Sequence, residues 1–184
     1  MTVMQRAPRA AIAIRPYEFR DVAALFEAAS ESVEMVYPWL PWCHPGYALD
    51  EAKAWVEQQV RAFESRQQFE FVIVSAEGAF LGGCGLNQID QANRRANLGY
   101  WVRSSAAGQG VATAAVRLLV GWALANTDLE RMEVLVATGN VASLRVAEKA
   151  GAVREGVLRS RLMLHGRPHD AVVFSFVREA NPSA

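Results

Sequence analysis

The stretch from Asn97 to Ala125, NLGYWVRSSAAGQGVATAAVRLLVGWALA, carries the spacing in this chain best suited to chemistry. Gly108 and Gly110 flank Gln109 in a run of small residues, and a helical periodicity begins directly behind them. Glycines let the backbone turn tightly enough to aim several N–H groups at one point. The first N–H groups of a helix have no partner inside it, and the helix dipole adds partial positive charge there. Together these features make a receptor for an anion, above all a pyrophosphate. Gly-Gln-Gly-Val-Ala-Thr lacks the Lys-Ser/Thr ending of a Walker loop. The flanking pattern also lacks the βαβ unit, with an acidic residue about 20 positions on, that a dinucleotide site needs. A tight turn alone would explain both glycines, so the loop needs support from the rest of the chain.

That rest bounds the answer. The 184 residues, 52% hydrophobic and 21% charged, suit one globular domain with a sizeable core. A formal net charge of zero gives no reason to expect a nucleic-acid or anionic-membrane partner. Cys43 and Cys84 form no disulfide framework, and with His165 and His169 beside a turn they make no metal-ligand cluster, so no metal is expected. The N-terminus has no apolar run long enough for a signal sequence or a membrane span, which makes a cytoplasmic location the expectation. Residues 1–10 are expected to be a loose extension, residues 11–178 a single domain and residues 179–184 a tail.

The elements that must position the loop follow from periodicity. A strand at Ile12 to Tyr17 precedes a helix opened by Asp21, with Val22, Leu25, Phe26 and Ala29 on one face. Three prolines and a glycine break regularity in VYPWLPWCHPGY. A second helix starts at Asp50 and Glu51, with Trp55, Val60 and Phe63 expected inward and a Glu57–Arg61 pair outward. Strands follow at Phe69 to Val74, Ala79 to Ile89 and Arg94 to Val102, spaced tightly enough for an antiparallel meander. The helix after the glycine loop shows Val111, Ala115, Leu118, Leu119 and Trp122 on its apolar face. Arg131 to Val136 is a strand reached by a helical crossover and therefore parallel to its predecessor. Asn140 caps another helix that stops at Gly151, and Val153 to Val177 reads as two strands turning at His165-Gly166. The fold class is α/β, a mixed and mostly antiparallel sheet with helices on both faces.

With those elements placed, the chain from Ile12 to Val177 resembles a GNAT-superfamily N-acetyltransferase, most of all the RimJ/RimL-type branch that acetylates N-termini of ribosomal proteins. Ala107-Gly108-Gln109-Gly110-Val111-Ala112 matches the superfamily's acetyl-CoA loop, R/Q-x-x-G-x-G/A, except that Ala107 stands at the Arg or Gln position. GNVASLRVAEKAGA is similar to the branch's segment with Asn140, Ser143, Ala147, Glu148 and Gly151 aligned, although Ala152 replaces the usual Phe. REGVLRSRLMLHGRPHDAVVFSF resembles its closing hairpin, and YPWLPW its aromatic loop.

The resemblance implies acetyl-CoA as cosubstrate, an amine acceptor and direct transfer. It implies that backbone groups near Trp101 and Val102 pair with the pantetheine arm. The loop from Gly108 through Gln109, Gly110, Val111 and Ala112 to Thr113 would cradle the pyrophosphate, and Asn140 would bond the pantetheine. Ser143 would protonate or solvate the leaving thiolate. Many members carry a Glu on the strand before the loop, where this chain has Asn97. The base is therefore open, with Glu70, Glu34 and His44 as candidates acting through water. The Tyr37–Trp42 loop and the Arg154–Arg167 hairpin would form the acceptor mouth. The resemblance leaves a homodimer open.

Three functions stay in view: acetylation of a protein or peptide α-amine, acetylation of a small amine, and a non-catalytic acyl-CoA-binding role that the losses at Asn97 and Ala107 would suit. An α-amine, with a pKa of about 7.7–8.0, sheds its proton more readily than a lysine at about 10.4, which favours the N-terminal acceptor when a strong base is missing. One outcome tests the loop directly. Gly110→Asp sets a negative charge against the phosphate position and is expected to abolish coenzyme binding in a calorimetric titration; undiminished affinity would remove the loop from the site.

Overall fold

A computed structural model describes residues 11–179. The expected extension at residues 1–10, and the tail beyond residue 179, lie outside the described residues. The chain runs through β1 (Ile12–Pro16), a short 3-10 turn at Phe19–Asp21, α1 (Val22–Val36), α2 (Leu49–Glu64), β2 (Phe69–Ser75), β3 (Phe80–Asp90) and β4 (Arg95–Val102). It continues through a 3-10 turn at Ser104–Ala106, α3 (Val111–Asn126), β5 (Arg131–Ala137), α4 (Val141–Ala150), β6 (Val153–Leu164) and β7 (Arg167–Val177). This is the element order that periodicity predicts.

The strands form one seven-stranded sheet in the order β1-β2-β3-β4-β5-β7-β6. All pairings are antiparallel except β4 with β5, the pair that α3 connects. Alternation along β2 sends Phe69, Phe71 and Ile73 to one face, where they join Leu86, Leu98, Val102 and the buried residues of α3. Val72 points the other way, into a cluster with Tyr17, Leu25, Ala28, Ala52 and Val56 from α1 and α2. β2 is therefore buried on both faces.

Two expected helix faces are corrected. In α2 the buried residues are Ala52, Val56, Gln59 and Ala62, because α1 and α2 pack through small side chains. Val60 and Phe63 are half-buried at the flank, and Trp55 is left 39% exposed. Among the described residues no ion pair joins Glu57 to Arg61, since Glu57 is partly turned inward. In α3 the buried stripe is centred on Ala115, Leu119 and Ala123, so Leu118 falls at its margin and is 41% exposed. Trp122 sits at the same margin but is covered by the rings of Phe63, Phe69 and Phe71.

β3 is a strand with much of its side-chain volume removed. Gly82 approaches β4 so closely that a Cβ there would lie 2.2 Å from the Trp101 carbonyl oxygen, at a φ of +150°. A Cβ at Gly83 would meet the Tyr17 hydroxyl at 2.7 Å and the Trp101 Nε1 at 2.9 Å. The bare strand leaves room above it for groups carried by its neighbours. Gly82→Ala is expected to destabilise the domain by about 2 kcal/mol or more, through overpacking and backbone strain, as read from urea denaturation.

Candidate active site

The parallel ladder between β4 and β5 holds only three residue pairs, Arg95 with Arg131, Ala96 with Met132 and Asn97 with Glu133. Both strands run on, to Val102 and Ala137, without pairing to each other. The sheet is thus split from Leu98 onward, and the β4 edge facing β5 has backbone groups free for an extended ligand, the position implied for the pantetheine near Trp101 and Val102.

The glycine loop closes one end of that split. Gly108 and Gly110 take left-handed φ values of +74° and +84°. Gly110 caps α3, whose first backbone bond is Ala114 N–H to Gly110 at 3.0 Å. Among the described residues, the backbone N–H groups from Gly108 through Gln109, Gly110, Val111 and Ala112 to Thr113 donate to no protein acceptor. These residues fit a pyrophosphate on the loop's own geometry. The Gln109 side chain folds back onto the Ser105 carbonyl at 3.0 Å, a brace inside the loop.

The loop is also fastened from outside. Arg103 spans Glu27 at 3.0 Å and Glu31 at 2.9 Å on α1. Glu31 accepts from the Ser105 hydroxyl at 2.8 Å, and the buried Ser32 hydroxyl accepts from the Ser104 N–H at 2.9 Å. The Arg103 guanidinium holds the Glu31 carboxyl down at about 2, so this anchor stays charged across the physiological range.

Across the split, Asn140 caps α4, its Oδ1 accepting from the Ser143 N–H at 3.1 Å. The cap leaves the amide Nδ2 as the donor available to a ligand. Ser143 Oγ lies 2.8 Å from the Tyr100 hydroxyl, which is also 3.1 Å from the Ser143 carbonyl oxygen. Burial pushes the Tyr100 phenol up to about 12, so it stays protonated and hydrogen-bonded to Ser143. Sequence reasoning missed Tyr100 as a site residue. Its alternation with Leu98 and Val102 pointed only to the core, and no local signal links it to a helix start so far along the chain.

On the other face of the split lies a cavity of about 570 Å³. Its inner end holds Glu70, Asn87 and Asn97, and its wall includes Gly99, Tyr100 and Trp101 of the free strand. Leu40, Trp42, Tyr47 and Trp55 line the outer part, with His44 and Glu51 bonded to each other at 3.1 Å. Of the candidate bases, Glu70 and His44 therefore face one cavity. Glu34 is exposed on α1 and is not among its walls. Trp42 packs edge-on against Trp101, with ring centroids 5.2 Å apart. The hairpin turn and the aromatic loop meet, although neither Tyr37 nor any residue of the hairpin is among the cavity's walls. His165 Nε2 lies 3.0 Å from the Tyr37 carbonyl oxygen, and the two rings pack at 4.4 Å.

Glu70 is 9% exposed and sits opposite Gly85 in the β2–β3 register. A Cβ on Gly85 would lie 1.9 Å from Glu70 Oε2, so glycine is the condition for the carboxylate being there. Asn97 Nδ2 donates to Asn87 Oδ1 at 2.9 Å, and Asn87 Nδ2 donates to Glu70 Oε1 at 3.1 Å. Burial, only partly offset by that donor, raises the Glu70 carboxyl to about 7. Cys43, by contrast, is fully buried, donates to the Ala29 carbonyl and is pushed up to about 11 by burial, which leaves no thiolate for acyl transfer.

The sheet is thus split, with a glycine loop of unpaired N–H groups at one end and a cavity of carboxylates and aromatic rings on its other face. The chain belongs to the GNAT acetyltransferase family, residues 12–153 matching the acetyltransferase (GNAT) domain, and within it to the RimJ/RimL-type branch. It is 30% identical over 168 residues to the putative ribosomal N-acetyltransferase YdaF of Bacillus subtilis (strain 168), with 91% of each chain covered. Mycobacterium smegmatis RimJ in complex with CoA-disulfide matches at TM-score 0.85 and 27% identity, over 96% of this chain and 87% of that one. The microcin C7 self immunity acetyltransferase MccE, in complex with acetyl-CoA and AMP, shares the fold at TM-score 0.84 and 20% identity, over 94% of this chain and 98% of that one. The chain is an N-acetyltransferase, and GNAT enzymes take the acetyl group from acetyl-CoA. No helix among the described residues is long and apolar enough to cross a membrane.

The burial of Glu70 has a measurable cost. Its folded value near 7 lies above the ordinary 4.5, so the penalty is absent below about pH 4.5 and complete above about pH 7. The stability of Glu70→Gln relative to the native protein should therefore rise by on the order of 3 kcal/mol between about pH 4 and pH 8, measured by urea denaturation.

Proposed function

We propose that the chain acetylates a protein or peptide N-terminal α-amine, using acetyl-CoA held along the split between β4 and β5. The observation that carries this reading is the cavity. Among the described residues its lining has two carboxylates, Glu51 and Glu70, with no Lys or Arg, and it reaches the free edge of β4. An acidic cavity without a cation attracts an ammonium group, and its aromatic walls accommodate an uncharged residue behind that group. An α-amine needs less help in losing its proton than a lysine does. The name of the YdaF relative, a putative ribosomal N-acetyltransferase, supports a protein acceptor.

Within this reading the parts divide the work. The loop N–H groups bind the phosphates, the β4 edge and Asn140 hold the pantetheine, and Ser143 with Tyr100 behind it supplies a proton to the departing sulfur. The acetyl thioester supplies the activated carbonyl when bound. A small amine is the second reading, favoured by Glu51 at the outer part of the cavity, where it could receive a second amino group.

Thiol release from acetyl-CoA against Ser-, Ala-, Met- and Asp-starting peptides, polyamines and aminoglycosides tests the proposal. Turnover on peptides is the expected result, and turnover confined to a small amine would overturn it in favour of the second reading. In the same assay Ser143→Ala should lower kcat by roughly 10²-fold while calorimetry shows acetyl-CoA affinity nearly kept.

A further inference from the structure

We propose that Glu70, two strands away from the position where the family's usual carboxylate is replaced by Asn97, is the group that takes the proton from the acceptor amine. The geometry assigns it this place. The Glu70 carboxylate stands at the inner end of the same cavity whose wall includes Gly99, Tyr100 and Trp101 on the free β4 edge. Its Oε1 is held by Asn87, while Oε2 overhangs Gly85 and has no protein partner among the described residues. Asn97, which cannot accept an amine proton as a carboxylate would, instead orients Asn87 toward Glu70. The carboxylate lost from β4 is thus replaced from β2, and the chain Asn97–Asn87–Glu70 links the two positions across the sheet.

The reaction balances with Glu70 in this role. The acceptor enters as an ammonium ion and gives one proton to the Glu70 carboxylate, which becomes the neutral acid. The freed amine nitrogen forms the bond to the acetyl carbon as the carbon–sulfur bond breaks. The second nitrogen proton passes to solvent, and the sulfur leaves as a thiol with a proton from the Ser143 hydroxyl, which regains one from solvent. Glu70 then returns its proton to solvent. The sum is ammonium plus thioester giving amide, thiol and one proton.

The groups facing Glu70 make its ionisation readable. Tyr17 approaches from the segment before α1, Cys84 and Asn87 from β3, and Asn97 from β4; His44 and Glu51 line the cavity beyond. Among the described residues no Arg or Lys lines these walls, so burial dominates and raises the Glu70 carboxyl to about 7. An ammonium ion beside it favours the carboxylate and lowers that midpoint.

Two measurements test the assignment, which rests on amine acetylation but not on the peptide being the acceptor. The first is the pH profile of kcat/KM, which reports the free enzyme, on whichever panel amine turns over fastest. The native enzyme should gain activity with rising pH through about 7 and then level off. Glu70→Gln should lose about 10²- to 10⁴-fold in kcat/KM and the rising limb with it. Asn87→Ala, which removes the donor that favours the carboxylate, should move the limb to higher pH. The second uses protein labelled with 13C-glutamate and saturated with CoA, so that no turnover occurs. The Glu70 carboxyl signal, identified by its loss in Glu70→Gln, should titrate near 7 and shift to lower pH on addition of Ser-Ala amide or n-butylamine. A Glu70→Gln enzyme with an unchanged profile, or a carboxyl signal that neither amine moves, overturns the proposal. If no panel amine turns over, the acceptor reading fails by itself, and the titration of the CoA complex still decides the role of Glu70.

Discussion

The structure turns on where the parallel pairing of β4 and β5 stops. Backbone groups in a sheet interior must be paired, and releasing a strand edge normally costs stability or invites aggregation. Here the ladder ends after Asn97 and Glu133, and the gap beyond it is kept open by elements pinned on either side. On one side Arg103, Glu31 and Ser32 tie the end of β4 to α1. On the other, the hydroxyl of Tyr100 reaches across to Ser143 at the start of α4. The released edge exposes unpaired backbone groups, and the glycine loop, with further unpaired N–H groups, stands at its end.

The second face of the split reflects a trade between stability and reactivity. β3 gives up side chains at Gly82, Gly83 and Gly85, which weakens a strand's own preference for its conformation. The space so made is filled by Trp101, Tyr17 and the carboxylate of Glu70. A buried carboxylate with one amide donor is destabilising when charged, and that is what sets its affinity for protons near neutrality. The Arg131–Glu155 pair, on β5 and β6, shows the opposite arrangement. There the guanidinium brings Glu155 down to about 2, a value suited to structure and of no use to a proton acceptor.

Much of this was legible in the residues. The turn glycines before α3, the Asn140 cap, the Gly151 stop and the meander from Phe69 to Val102 each rest on local chemistry that a sequence displays directly. The helix faces of α2 and α3 were read less well, because Trp55 and Leu118 are apolar by type yet lie at the margin of the contact that packing chose. Among site residues, Asn87, Tyr100 and Arg103 gave no local sign. Each acts through a partner on another strand or helix: Glu70 and Asn97 for the first, Ser143 for the second, Glu27 and Glu31 for the third.

By itself the sequence determined the elements, their order, and a glycine turn ahead of a helix, since these depend on backbone preferences and side-chain periodicity within a few residues. It also showed that the usual carboxylate is absent at Asn97. Only the tertiary structure decided which of Glu70, Glu34 and His44 share a cavity with the free β4 edge, because that depends on cross-strand register. Glu70 faces the cavity since it pairs with Gly85, while Glu34, on the exposed side of α1, does not. The titration behaviour of Glu70 was likewise undecided until folding removed water from around it, for the proton affinity of a carboxyl group is set by its surroundings and not by its type.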